Sequence, residues 1–511
     1  MTGLEEVLAI LSSEELHGLC KEMKIRSSGK KEELVSNLIK FTKQQKSIFS
    51  AFKKTANQDS VVLKRAKAIL GHCCLVNKEV RRVFMRVLML YGLPRYDEED
   101  EGGQQSQLTT LLMVNMGKME FPEFEVIRNH SIFRTREDLL RYETCNQILI
   151  DVQECMEAQK WEEALQHCQL AVTTYQELIS DEELMNHEKS LPSFLRRFTS
   201  VSVLIYILTC SDYRGRWFDR LALNLATHLK KPAQAVDAIQ EALKDPEVRK
   251  GHRLSLSMRA EKMAASARHK SLAATIAEMP LMHPREAPKI IIEGRSLPGF
   301  SSHAGEGEVT VCSVEELVLG HYKDQGYTEG LHREGTTVNS LFGLYFWDAL
   351  YLPVSDVFRS PHQASPLDLD DPNFYAARKE WIDRRLGDMR LWSEERAVSE
   401  LEQVWTQHIG KVSLVAWDLF RNLDHAKSLV ASMGTNTLAA VCERLAKDHR
   451  FTRSGFPDLV VWDPLNKKCR IVEVKGPMID CQQNRSSGLN TCLIVVQLLK
   501  SVMLKQLEPR R

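Results

Sequence analysis

Apolar residues recur at helical spacing over most of the chain, and only a few short regions switch to the alternation expected of strands. Leu4, Val7, Leu8 and Leu11 form a first stripe; spacings of three and four bring such positions to one side of a helix. Ser12 and Glu15 stand three apart ahead of Leu16 and Leu19, the arrangement of a reciprocal N-terminal cap. In "RSSGKKEELVSNLIKF" Gly29 marks a turn, and a second stripe begins at Leu34, Leu38 and Ile39. Helical spacing continues through "VVLKRAKAIL" and "VRRVFMRVLML", and residues 94–107, "PRYDEEDEGGQQSQ", have the composition of a mobile linker. From about 137 to 280 helix follows helix. Around 285–312 the texture changes, and "KIIIEGRSLPG" and "VTVCS" read as short strands. Ser313 and Glu316 then predict a second capping box for the helix "VEELVLGHYKDQG", which Gly326 ends. After it "TVNSLFGLYFWDALYL" reads as one strongly apolar helix, central to a last domain that runs from 286 to 511.

Near the C-terminus, "DLVVW" and "CRIVEV" are two strand-like runs separated by the turn-forming "DPLNKK". An antiparallel hairpin centred between Leu465 and Asn466 sets Asp458 opposite Glu473, because the two numbers sum to 931 as 465 and 466 do. Their Cβ atoms then lie ~5 Å apart. Side chains alternate along a strand, so Glu473 and Lys475 share one face and Val474 enters the core. Two carboxylates held that close repel unless a cation lies between them. Mg²⁺ or Mn²⁺, hard ions that take carboxylate and carbonyl oxygens, suit the gap. Such an ion neutralises a scissile phosphate and acidifies a bound water, and Lys475 is placed to orient that water. The order P-D-x(14)-E-x-K, from Pro457 to Lys475, matches the PD-(D/E)XK nuclease pattern. An ordinary hairpin with surface charges is the competing reading.

The 511 residues exceed one ordinary core, so several domains are expected. An apolar fraction of 43% with 27% charged residues fits a folded globular chain. Net charge is zero, yet residues 51–95 hold ten Lys/Arg against Asp59 and Glu79, and "YDEEDE" follows with five acids. A basic surface of that kind suits phosphate, with a solvated helix as the plainer alternative. Twelve cysteines include the adjacent pair Cys73 and Cys74 but no C-x-x-C, which points to reduced thiols in cytosol or nucleus rather than a disulfide framework or zinc site. The start "MTGLEEVLAILSSEEL" is acidic and amphipathic, unlike a secretory signal. The apolar runs "VSVLIYILTC" and "LIVVQLLKSVML" fall short of the ~20 residues a membrane span needs.

The layout of the first fifty residues resembles a SAP module, a small DNA-binding unit. "WEEALQHCQLAVTTYQEL" and "PAQAVDAIQEALKDPEVRKGHRLSLSMRA" resemble tetratricopeptide helices, without a strict ~34-residue period. The stretch "GFPDLVVW…RIVEVKGP" closely resembles the virus-type replication-repair nuclease domain of the Fanconi-associated nuclease family. The likeness extends to "REGTTVNSLFGLYFWDALYL", "DVFRSPHQASPLDL", "GKVSLVAWDLF", "DYRGRWFDRLALNLATHLKK" and "DPEVRKGHRLSLSMRA". It implies a mainly helical, multidomain architecture: a SAP-like module over 1–50, a basic helical DNA-binding region over 51–136, a tetratricopeptide-like array over 137–285, and an α/β PD-(D/E)XK nuclease domain over 286–511.

The resemblance implies a structure-specific DNA nuclease, a 5′-flap endonuclease and 5′–3′ exonuclease of interstrand crosslink repair. Its metal ligands fall on Glu334, Asp458, Glu473 and the carbonyl of Val474, with Lys475 as catalytic lysine and Gln363 lining the same site. A pocket for a DNA 5′ phosphate corresponds to Arg216, His252 and Arg450; arginine suits it through a permanently charged, bidentate fork. On the residues alone, Arg216 reads as a surface ion pair and His252 as a satisfied helix histidine. Mg²⁺ or Mn²⁺ is the implied cofactor. Branched or flapped DNA is the implied partner, with crosslink-repair proteins and a DNA-induced dimer besides, no membrane, and the nucleus as location.

Three departures from the family pattern stand out. No ubiquitin-binding zinc finger spacing is present, the array is short by roughly a helical pair at "SVSVLIYILTC", and after "EVKGP" the tail 478–511 diverges from the expected helix and closing strand. That tail reads as an amphipathic helix and lacks the lysine that completes the phosphate pocket. The first puts recruitment through ubiquitin in doubt; the other two resemble alternative splicing or a faulty gene model and support an alternative: a splice-variant DNA-binding scaffold with an impaired nuclease core. A purely protein-binding helical array is a third.

Overall fold

The structure, a computed structural model, describes residues 3–26, 31–49, 61–71, 77–93, 103–209, 214–245, 248, 250–266, 271–282, 289–295, 313–453, 456–475 and 491–498. Gly29, the acidic run 96–101 and the strand expected at 309–312 lie outside the described residues. The chain divides into two compact units, Met1–Leu90 and Tyr91–Arg511.

In the first unit, α1 (Leu4–Ile10), α2 (Ser13–Glu22), α3 (Lys31–Phe49) and α4 (Val61–Leu70) share one core. Val7, Leu8 and Leu11 meet Leu16, Leu19, Leu34, Leu38, Val62 and Ala66 there. The capping box forms as the sequence predicts: Glu15 N–H donates to Ser12 Oγ, and Ser12 N–H donates to the Glu15 carboxylate at 2.7 Å. Helix α5 (Lys78–Gly92) follows.

The second unit opens with α6 (Gly103–Asn115), which begins inside the stretch read as a linker. An extended segment then leads to α7 (Arg136–Glu157) and α8 (Trp161–Ile179). These two pack with α11 (Ser200–Thr209), after the short α9 (Glu182–Ser190) and α10 (Ser193–Arg196). A second group joins α12 (Arg214–Leu223), α13 (Pro232–Lys244), α14 (Lys250–Ala265) and α15 (Ala273–Ala277) round a core of Ala222, Ala235, Ile239, Leu256 and Ala260. Small residues at those positions let the helices approach closely. Residues Asn224–His228 extend α12 by a π-helical turn.

The last part holds a five-stranded sheet: β1 (Lys289–Arg295), β2 (Glu329–His332), β3 (Leu459–Asp463), β4 (Lys468–Lys475) and β5 (Thr491–Leu498), in the order β1-β5-β4-β3-β2. Every neighbouring pair is antiparallel. Strand β5 corrects the expectation of a helical tail. "TCLIVVQL" pairs with β1 on one side and β4 on the other. A short, nearly continuous apolar run fits a strand as well as a helix, and the amphipathic spacing read in the tail gave way to pairing on both edges.

Helix α16 (Val314–Asp324) starts on the predicted Ser313–Glu316 box and ends before Gly326, whose φ of +92° suits a residue without a side chain. It covers one face of the sheet, where Val318 and Tyr322 pack with Leu459, Val461, Val472 and Val474. The opposite face carries Val460, Trp462, Cys469 and Ile471 into the largest core. That core is filled by α17 (Gly335–Tyr345), α18 (Trp347–Leu350), α19 (Asn373–Ala377), α20 (Lys379–Leu391), α21 (Glu394–His408), α22 (Leu423–Met433) and α23 (Thr435–Lys447). The apolar helix expected as one piece is therefore two, broken at Phe346, whose φ of −115° leaves helical geometry. All of α17 but Thr336 is buried. Short α24 (His449–Arg453) precedes β3.

Candidate active site

The hairpin has the register read from the sequence. Leu459 pairs with Val472, Val460 with Ile471 and Asp463 with Lys468, so Asp458 stands opposite Glu473 at its open end. The turn is tied by Asp463, whose Oδ1 accepts from Leu465 and Asn466 N–H at 3.0 and 3.2 Å, while Oδ2 accepts from Asn466 Nδ2 at 2.6 Å. Alternation then assigns the faces. Val472 and Val474 enter the core under α16, so Glu473 shares the opposite face with Cys469 and Ile471, and Asp458 shares it with Val460 and Trp462.

Two bonds converge on Asp458. Val474 N–H donates to Asp458 Oδ2 at 2.7 Å, and Glu334 N–H donates to the Asp458 carbonyl at 3.3 Å. Glu334, distant in sequence, is thereby brought to the mouth of the hairpin. It caps α17 with φ +43° and ψ −133°, a left-handed backbone at a residue with a side chain. Such geometry costs about 1–3 kcal/mol and persists only where its surroundings enforce it. Next to it, a Cβ on Gly335 would lie 2.1 Å from the Arg453 carbonyl oxygen. Only glycine lets α17 start there.

The structure thus gathers Glu334, Asp458, Glu473 and the backbone of Val474. The side chain of Lys475 lies outside the described residues. Gln363 is placed in a loop whose shape it fixes: its Oε1 accepts from the N–H groups of Arg359 and Ser360, the latter at 3.1 Å. Gly215 of α12, the residue before Arg216, fits against the His252 ring of α14, with only 2.5 Å for a Cβ. Arg450 stands exposed on α24, a separate element. Sequence reading missed its neighbour His449, a buried residue whose Nδ1 donates to Asp370 Oδ1 at 2.7 Å and whose Nε2 faces Asn339 Oδ1 at 2.8 Å. Nothing in local spacing signals it, since its partners come from a loop and a helix far upstream.

The ligands that the resemblance implies, three carboxylates and a peptide carbonyl, are all oxygen donors, a set that suits a hard divalent cation rather than a thiophilic one. The Val474 bond engages one Asp458 oxygen and leaves Oδ1 outside it. Among the described residues, no three acidic, histidine or cysteine side chains are already gathered about a single metal position. The convergence is one of backbone positions. Among the described residues, too, no helix is long and apolar enough to cross a membrane.

Comparison with known proteins places this geometry. The VRR-NUC domain matches residues 393–488, the Fanconi-associated nuclease 1 SAP subdomain matches 4–67, and the Fanconi-associated nuclease 1 TPR domain matches in two pieces, 138–209 and 202–264. The two pieces meet in the apolar run where the array reads as shortened. By fold and site the chain is a modular protein that joins SAP and tetratricopeptide helices to a VRR-NUC nuclease domain. It belongs to the Fanconi-associated nuclease family. Fanconi-associated nuclease 1 of Danio rerio is 39% identical over 523 residues, covering 93% of this chain and 52% of its own. The Homo sapiens protein of that name is 38% identical over 517 residues, covering 93% and 51%. The chain thus spans about half the length of these relatives. A crystal structure of paFAN1 bound to a 5′-flap DNA with a gap aligns at 19% identity over 92% of this chain and 76% of that one, with a TM-score of 0.49.

Proposed function

We propose that the chain is a metal-dependent DNA phosphodiesterase that cuts 5′ flaps and degrades DNA from the 5′ end in interstrand crosslink repair, in the nucleus. The convergence of Glu334 and Val474 on Asp458 carries this reading. It brings together, from segments far apart in sequence, backbone positions whose residues carry the oxygen donors such chemistry needs.

Glu334, Asp458, Glu473 and the Val474 carbonyl would hold Mg²⁺ or Mn²⁺, which supplies charge neutralisation at the scissile phosphate and a more acidic water. The chain's own groups do the rest. Lys475, two residues beyond Glu473, orients the attacking water and balances the charge that grows on the phosphate oxygens. Gln363 lines the site from its loop. Arg216, His252 and Arg450 receive a terminal 5′ phosphate, the arginines as charged donors. The basic residues of 51–95 add contacts to the DNA backbone. Crosslink-repair proteins and a dimer on DNA belong to this same reading.

The test is cleavage of an end-labelled 5′-flap duplex by the whole chain, with Mg²⁺, with Mn²⁺ and with chelator. Metal-dependent cutting that Glu473→Gln removes, with DNA affinity kept within about twofold and falling steeply with salt, is the expected result. Cutting that survives either chelator or Glu473→Gln refutes the proposal.

A further inference from the structure

Helices α17 and α24 are joined at two points one helical turn apart. At the first, the start of α17 lies so close to the end of α24 that a Cβ on Gly335 would meet the Arg453 carbonyl. At the second, Asn339 of α17 faces His449 of α24 at 2.8 Å. Going four residues up α17, from 335 to 339, moves four residues back along α24, from 453 to 449, so the two elements run antiparallel. His449 is 3% exposed and packs its ring 6.2 Å from that of Phe342. Its other nitrogen donates to the Asp370 carboxylate, which comes from a third segment. A five-residue helix has little stability of its own, and this imidazole ties it to both neighbours.

His449 thus ties together the two elements that carry Glu334 and Arg450. The residue before Gly335 is Glu334, and the residue after His449 is Arg450. We propose that His449 is a positioning residue that sets Arg450 for a terminal DNA phosphate by pinning α24 against α17. The inference rests on Arg450 as a phosphate ligand and is independent of cleavage. Truncating the imidazole frees α24 to shift, and the guanidinium loses its aim while keeping its charge. Affinity for DNA in general then changes little, whereas the gain from a 5′ phosphate disappears.

The experiment measures the dissociation constants of the full chain for a flap DNA bearing either a 5′ phosphate or a 5′ hydroxyl, by fluorescence anisotropy without divalent metal. The unaltered chain should prefer the phosphorylated DNA about tenfold, the order of one charge-assisted contact. His449→Leu should bring that ratio to within about twofold of unity while affinity for the hydroxyl DNA stays within about twofold. His449→Gln, whose amide N–H still reaches for Asp370, should recover part of the ratio and guards against a folding defect in the leucine variant. A ratio near one in the unaltered chain, a ratio unchanged in His449→Leu, or an equal loss of affinity for both DNAs in both variants overturns the inference. Because no step is catalytic, failure of the nuclease reading would show separately, as absence of metal-dependent cutting.

Discussion

Asp458 accepts the backbone N–H of Val474 through Oδ2 at 2.7 Å, across the open end of the hairpin. The bond joins the first acid of the proposed site to Val474, whose carbonyl the proposal gives to the metal. It also separates two roles of Asp458, since an amide oxygen accepts that hydrogen bond but carries no charge.

Asp458→Asn therefore tests charge without dismantling the hairpin. Cleavage of a 5′ flap should fall by about 100-fold or more, the range seen when a preorganised electrostatic group is lost. The melting temperature should move by no more than about 2 °C, because the bond to Val474 survives. Asp458→Ala should match it in activity and unfold at lower temperature. Thermal unfolding beside a flap assay checks both.

Gly335→Ala should be severely destabilising although it adds only a methyl group. The new Cβ would lie 2.1 Å from the Arg453 carbonyl oxygen, and backbone cannot yield as a flexible side chain can. Overpacking of this kind costs about 1–3 kcal/mol or more. Because Glu334 is the cap residue of α17, flap cleavage should fall with stability. Urea unfolding gives the first number, and an unchanged midpoint would disprove the contact.

Arg378 and Asp368 form a wholly buried ion pair at 2.8 Å, both side chains 0% exposed. Arg378 Nε also donates to the Ala349 carbonyl at 2.8 Å, and the guanidinium lies 4.5 Å from the Phe374 ring centre. Arg378→Met would leave the Asp368 carboxylate buried with only Asn373 Nδ2 as partner among the described bonds. Breaking such a pair costs about 3–5 kcal/mol. Replacing both, Arg378→Met with Asp368→Leu, should recover much of the loss, which a double-mutant cycle by denaturant unfolding would measure.

These relationships were unequally legible in the sequence. The hairpin register was readable because a short turn fixes pairing by arithmetic, and Asp458 and Glu473 fell opposite each other without any knowledge of the rest. Both capping boxes were readable for the same reason: each is complete within four residues. Glu334 was not readable from spacing, since its bond to Asp458 spans the helical core and α24. Strand β5 was missed because its partners, β1 and β4, lie on either side of it only after the sheet has formed, and helical and strand patterns overlap in "LIVVQLLKSVML". His449 escaped notice for the same reason, being tied to Asp370 and Asn339.

The last prediction concerns acid. His425 is buried beside Trp462, their ring centres 5.0 Å apart, with Glu329 Oε2 3.3 Å from Nε2. Burial and the nearby Arg421 guanidinium hold its pKa below the ordinary imidazole value, and the Glu329 carboxylate only partly offsets them. His408 is lowered too, by burial and by Lys411. A histidine that stays neutral in the fold but takes up a proton when unfolded favours the fold only at higher pH. Its contribution is complete above the unfolded value of about 6.5 and is lost as pH falls toward the lower folded value. Stability of the sheet and its helical cover should therefore decline from pH 7 to pH 5. His425→Gln, which does not titrate, should flatten that decline even if it lowers stability at pH 7. Thermal unfolding of both proteins at several pH values in this window checks it, and parallel curves for the two would refute the assignment.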